Sequence, residues 1–152
     1  MKLALLLLFS TIAFAQSSKG TFGYEKETSL SGAAETVTLH LPTGSTRTAK
    51  LVGATVYCSV VCTATLKRDG TAPTTTAGTA VKLNTASDAA SVVPYHTSNV
   101  GTSTAIKIYN IAAGEEKVID LSDKGLLAAE NVTLVTSSIT GTARIYFQWR
   151  EY

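Results

Sequence analysis

The sequence predicts an all-β protein, a two-sheet antiparallel sandwich of eight or nine strands in jelly-roll or related Greek-key topology. Threonine, valine and alanine are abundant and aromatic residues are few. β-branched side chains fit the pleated surface of a sheet better than a helix. From Glu35 onward, short alternating segments are separated by turn residues at intervals of about 8 to 12 residues, the spacing typical of sandwiches and barrels. An immunoglobulin-like sandwich is the alternative, but its widely spaced cysteines with an intervening tryptophan are missing.

The first fifteen residues predict a secretory signal peptide. A lysine precedes the apolar run from Leu3 to Phe14, and the small residues Ala13 and Ala15 precede the expected cleavage before Gln16. These are the three parts of such a leader. A run of roughly 12 apolar residues is shorter than the 20 or so that span a bilayer. We therefore expect a secreted protein, periplasmic or extracellular, without a membrane span.

The remaining chain divides into two parts by composition. Residues 16–34 are rich in Ser, Gly, Lys and Glu without a sustained period, so we expect a flexible N-terminal arm. Phe22 and Tyr24 alternate well enough to add a short edge strand there. Residues 35–152 form the expected β-sandwich domain.

Nine segments of this domain are predicted strands, because apolar and polar residues alternate in them and turn residues separate them. The first is typical, with Val37, Leu39 and Leu41 alternating with polar residues before Pro42 and Gly44. The predicted strands are 36–41, 50–58, 62–68, 79–83, 91–97, 104–111, 116–121, 131–136 and 142–149.

Two further segments bear on the core. Residues 122–130 are expected to form a helical turn or a loop that carries Leu126 and Leu127 onto the core. In the last strand, Ile145, Phe147 and Trp149 share one face. Three large apolar residues on one face are best buried between two sheets, so we expect the only tryptophan in the core.

Cys58 and Cys62 are the only cysteines, and we expect them to form a disulfide. In an extended strand their Cα atoms would lie about 13 Å apart, whereas a disulfide needs about 4.4 to 6.8 Å. The bond therefore requires the chain to reverse at residues 59–61. A hairpin there would pair two apolar residues of each strand, Val56 with Ala64 and Ala54 with Leu66. A continuous strand with two buried thiols is the alternative.

No catalytic, cofactor-binding or metal site is expected. His40 and His96 are the only histidines, and both are expected at the surface, since a zinc or copper site needs more ligands at recognisable spacing. The chain has 13 basic and 11 acidic residues, and the leader removes one lysine. Such a balance gives no argument for nucleic acid. Asn131 opens a formal glycosylation sequon.

These observations favour a secreted, non-enzymatic structural or interaction protein that acts through the surface of its sandwich on a protein or surface glycan. The alternative is a carbohydrate-binding module that stacks sugars on exposed tyrosines. An enzyme ranks third. The sequence does not determine the oligomeric state, and a homo-oligomer is one of the partners considered. The candidate ligand-facing residues are Tyr57, Tyr95, Tyr109 and Tyr146.

Three segments carry a resemblance to known proteins: Val52–Cys58, Lys67–Thr71 and Gly141–Trp149. With these strand and turn patterns, residues 36–151 resemble uncharacterised small secreted bacterial jelly-roll proteins and the β-sandwich modules of bacteriophage tails and fibres. The resemblance implies a role at a surface or in an assembly, and it carries over no catalytic residue.

The signal peptide predicts the mass of the mature protein. Cleavage after Ala15 should leave Gln16 as the first residue, because small residues at the cut and two positions before it suit the signal peptidase. Intact-mass spectrometry of the exported protein measures this directly. Recovery of only the full-length chain in the cytoplasm would contradict export.

Overall fold

A computed structural model describes residues 18–69, 73, 77–84, 88–96 and 104–152 of the 152-residue chain. The predicted signal peptide and its cleavage site lie outside these residues. Within these ranges no helix is long and apolar enough to cross a membrane. The strands are β1 (Gly20–Ala33), β2 (Thr36–His40), β3 (Ala49–Cys58), β4 (Cys62–Asp69), β5 (Val81–Lys82), β6 (Val93–His96), β7 (Thr104–Ile111), β8 (Glu116–Asp120), β9 (Gly125–Leu126), β10 (Asn131–Thr136) and β11 (Ile139–Glu151).

The strands form two antiparallel sheets. The first sheet has the order β5-β1-β11-β3-β8, with β9 also paired to β3, and the second has the order β6-β2-β10-β4-β7. Without the three short strands β5, β6 and β9, each sheet has four strands, and β1 to β4 lie alternately in the two sheets. This is the strand order of a jelly roll. The predicted fold class is confirmed, with two strands more than the nine segments expected.

The N-terminal segment corrects one prediction. Residues 16–34 were expected to form a flexible arm, but Gly20–Ala33 is a 14-residue strand. It lies between β5 and β11 and pairs with β11 from Gly20 to Ala33. Phe22 and Tyr24 are buried in the core. Most of the polar residues of this segment lie in the second half of the strand, which is largely exposed. They interrupt the alternation of apolar and polar residues by which a strand is predicted.

The disulfide is confirmed, but the expected hairpin is wrong. Cys58 and Cys62 are joined, with their Cα atoms 6.3 Å apart. However, β3 pairs with β11 and β8 in the first sheet, whereas β4 pairs with β10 and β7 in the second. The chain thus crosses from one sheet to the other at residues 59–61. The alternation of apolar and polar residues predicts which side chains face inward. It does not distinguish two strands of one hairpin from two strands that face each other across the core, because the same side chains point inward in both arrangements.

The inward faces of both sheets form one apolar core. Ile145, Phe147 and Trp149 of β11 are fully buried, as expected. Of the two leucines expected to reach the core from residues 122–130, Leu126 is buried in β9, whereas Leu127 is 58% exposed. Leu127 directly follows the end of β9, and adjacent residues of an extended chain point to opposite sides.

A buried carboxylate closes the end of the sandwich opposite the disulfide. Glu151 follows Trp149 on the inner side of β11 and is completely buried. Its side chain accepts hydrogen bonds from the backbone N of Ser91 (2.8 Å) and of Val92 (2.9 Å) and from Trp149 Nε1 (3.1 Å). Arg47 Nη1 lies 3.3 Å away and forms an ion pair with it. These donors supply the partners that a buried carboxylate requires.

Replacing the tryptophan should destabilise the protein strongly. Trp149 packs on Phe22, with ring centroids 6.0 Å apart, and its removal leaves a cavity beside a carboxylate that loses one donor. We expect Trp149→Ala to lower the free energy of unfolding by about 3 to 5 kcal/mol, the usual cost of truncating a buried tryptophan. Urea unfolding measures the change.

The neighbouring variant Arg150→Ala is the control, because this side chain points away from the core and is exposed. We expect it to change stability by less than about 0.5 kcal/mol. Equal midpoints for Trp149→Ala and the parent protein would contradict the burial assignment.

Candidate functional site

The structure brings two of the four candidate tyrosines together. Tyr57 of β3 and Tyr146 of β11 lie on neighbouring strands and point away from the core, Tyr57 opposite Arg144 and Tyr146 opposite Thr55. Both are half-buried. We call this side of β1, β11, β3 and β8 the outer face.

The other two candidates lie elsewhere. Tyr95 is on β6 of the second sheet, with its ring edge-on to that of His40 at 6.2 Å. Tyr109 is on β7, packs against the edge of the core, and has Lys107 Nζ 5.1 Å from its ring centroid. The four residues therefore do not form a single row.

Arg144 reduces the ring surface that Tyr57 offers for stacking. Its guanidinium lies 5.4 Å from the centre of the Tyr57 ring, within the range of a cation–π contact. The same group makes ion pairs with Glu116 (2.5 Å) and Glu27 (3.7 Å) on the two flanking sides. One face of the Tyr57 ring is thus covered by a cation, whereas no cation–π contact of Tyr146 is found among the described residues.

A shallow trough crosses the sheet beside Tyr146. In register, Gly23 of β1, Gln148 of β11, Gly53 of β3 and Asp120 of β8 form one cross-strand row. The row is low at Gly53, which has no side chain, whereas the Tyr146 ring covers Gly23. Tyr146 and Val118, which is 74% exposed, line the groove of ≈ 320 Å³ over Gly53. We call this groove and the row beneath it the trough.

Gly23 sets the position of the Tyr146 side chain. A Cβ atom at Gly23 would lie 2.9 Å from Tyr146 Oη, so the phenol occupies space that any other residue would fill. Burial, and to a smaller extent the charge of Glu25, raises the pKa of Tyr146 above its ordinary value. The phenol therefore stays neutral at physiological pH, where its hydroxyl both donates and accepts hydrogen bonds.

Two more grooves continue from the trough along β3. A groove of ≈ 230 Å³ is lined by Val52, Lys50, Arg150 and Tyr152 among others, and it shares Val52 with the trough. A groove of ≈ 530 Å³ follows and shares Lys50 and Tyr152 with its neighbour. The three grooves thus follow one another from Tyr146 to the end of β3, where Arg68 of the second sheet also lines the last one, and we call this series the path. We call the part around Lys50 and Arg150 the basic end.

The outward side of the second sheet differs from prediction. His40 was expected at the surface, but it is buried, and its Nδ1 donates to Asn131 Oδ1 at 2.6 Å. Thr38 and Thr133, the next pair along, are also buried and hydrogen-bonded to each other at 2.8 Å. Alternation alone does not show that the polar side of a strand is covered. Asn131 is fully buried, which makes the sequon a poor glycosylation acceptor in the folded protein.

No metal-binding cluster is found in the described part of the chain, where no three His, Cys, Asp or Glu residues are grouped to hold an ion. His96 ends β6 and is half-buried. Sequence reasoning identified Tyr146 but missed Gly23, Gly53 and Val118, which line or underlie the trough. For the two glycines a signal was available, because each is an isolated glycine within a strand. Such a glycine marks a close approach of another group or a position without side-chain packing.

Protein-family models, curated proteins and solved structures were compared with the chain, and none of them matches it. The outer face is therefore a candidate site because of its own geometry.

Proposed function

We propose that this is an exported, non-enzymatic interaction protein that binds its partner through the outer face of the first sheet. The observation that carries the proposal is the trough, where exposed Val118 and half-buried Tyr146 flank a floor formed by Gly53. Exposed apolar side chains grouped around a concave floor are typical of binding surfaces. The rigid sheet beneath holds these side chains in place without further ordering, which favours binding.

A charge placed in the trough should abolish binding. Val118→Asp puts a carboxylate beside the floor of the trough, and its desolvation would oppose any apolar contact there. We expect the immobilised variant to lose the partner that the parent protein retains from the extracellular fraction of the producing cells. Quantitative mass spectrometry of the retained material measures the loss.

Ile108→Asp is the matched control. Ile108 is also β-branched, lies on β7 at the edge of the second sheet, and is 63% exposed. We expect this variant to retain the partner. Loss with Ile108→Asp and retention with Val118→Asp would move the binding surface to the β7 edge, because an exposed edge strand is itself able to pair with another chain.

A carbohydrate-binding module is the second candidate, and the geometry of Tyr146 favours it. The ring lies at the side of the trough, where Gln148 adds an amide that donates and accepts hydrogen bonds. Binding sites for small polar ligands combine such an apolar surface with a few placed polar groups. Tyr57 supports this candidate less, because Arg144 covers one face of its ring.

A glycan array tests the second candidate. We expect the parent protein to bind a subset of glycans, and Tyr146→Ala to weaken that binding about tenfold or more, because aromatic contacts dominate small interfaces. Tyr109→Ala, on the second sheet, should bind as the parent does. Equal binding by Tyr146→Ala and the parent would remove the trough from the carbohydrate site.

A further inference from the structure

Two cations face each other at the basic end. Arg150 of β11 and Lys50 of β3 are directly opposite in the register and both are exposed. Like charges in this arrangement destabilise a sheet. Neither side chain makes an ion pair with any residue that the structure describes. An anion bound between them would relieve the repulsion and take hydrogen bonds from both.

The acids of the outer face other than Asp120 lie toward its other end, whereas Asp120 lies in the trough. Glu27 and Glu116 form ion pairs with Arg144, and Glu25 is opposite Tyr146. A ligand that follows the path of grooves meets the trough first, where Asp120 contributes one carboxylate, and the two cations afterwards. Asp123 and Lys124, which form an ion pair with each other, line the last groove. The row of Arg150 is four residues from that of Tyr146, about 13 Å at the usual rise of a strand.

The strands beneath this path favour a glycan over a peptide. β3 and β11 are central strands, and each is paired on both sides. Their backbone N–H and C=O groups are therefore already used, and an extended peptide gains no main-chain hydrogen bonds from them. A sugar binds without such bonds, by laying its apolar ring face on an aromatic side chain and bonding its hydroxyls to amides and carboxylates.

We propose that the outer face binds an acidic polysaccharide, with sugar rings in the trough beside Tyr146 and carboxylate or sulfate groups between Lys50 and Arg150. This inference rests on the proposed binding function of the outer face and assigns the chemistry of its ligand. Charge-assisted hydrogen bonds from lysine and arginine to such anions are stronger than neutral ones.

The double variant Lys50→Gln/Arg150→Gln tests the proposal. The probes are polygalacturonate, which carries carboxylates, heparin, which also carries sulfates, neutral dextran, and poly-glutamate as an acidic peptide. We expect the mature, disulfide-bonded parent protein to bind one or both acidic polysaccharides and not poly-glutamate. The double variant should bind them about tenfold to hundredfold more weakly, as expected for the loss of charge-assisted hydrogen bonds. Titration calorimetry measures the affinities.

Lys82→Gln/Lys107→Gln is the matched control, because it removes the same charge from two exposed residues outside the basic end. It should bind as the parent does. An equal loss in both double variants would reduce the effect to net charge and overturn the proposal. Poly-glutamate binding that depends on Lys50 and Arg150 would overturn the proposal and indicate an acidic protein as the ligand. Failure of the parent protein to bind either acidic polysaccharide would also overturn it.

Thermal unfolding separates a binding role from a structural one. Because the two cations repel each other, Lys50→Gln/Arg150→Gln should melt at or above the temperature of the parent protein while binding more weakly. A lower melting temperature would indicate that the pair supports the fold. If Val118→Asp abolishes partner binding but the double variant does not change it, the outer-face function stands and the acidic ligand is rejected. If neither variant changes it, both proposals fail.

Discussion

The carboxylate of Glu151 holds together parts of the chain that no sheet hydrogen bond connects. It lies on the last strand of the first sheet, and it binds the segment at Ser91 and Val92 that leads into β6 of the second sheet. It also binds Arg47, in the connection between β2 and β3. A buried charge is tolerated only where donors surround it. The position of these segments, and with it the packing around Trp149 and Phe22, depends on that requirement.

The sequence predicted the elements that alternation defines. The inward faces of β3, β4 and β11 followed from it. The disulfide was expected from the two cysteines, and with only three residues between them the bond required the chain to reverse there. Glu151 shows where this reasoning stopped. It continues the alternation of Ile145, Phe147 and Trp149 and therefore had to face inward, but a carboxylate is read as a surface residue unless its donors are known. Apart from Trp149, those donors are Arg47, Ser91 and Val92, which are distant in sequence.

The candidate site could be predicted only in part, for a related reason. Tyr146 was identified because its position on the polar side of β11 is a local property. The trough depends on Gly23, Gln148 and Gly53 being in one row, and this row exists only through the register of three strands from both ends of the chain. The pair of Lys50 and Arg150 likewise arises from register. Local patterns do not determine which strands become neighbours, as the mistaken hairpin at Cys58 also shows.

The strand order has a consequence for the time at which the fold forms. β11 lies between β1 and β3, so the centre of the first sheet is missing until residues 139 to 151 have been synthesised. Nearly all pairings therefore join distant parts of the chain, an arrangement that slows folding. A nascent chain that lacks β11 therefore cannot complete the first sheet. Delayed folding of this kind suits the export that we propose, because a chain is threaded through a translocation channel before it becomes compact.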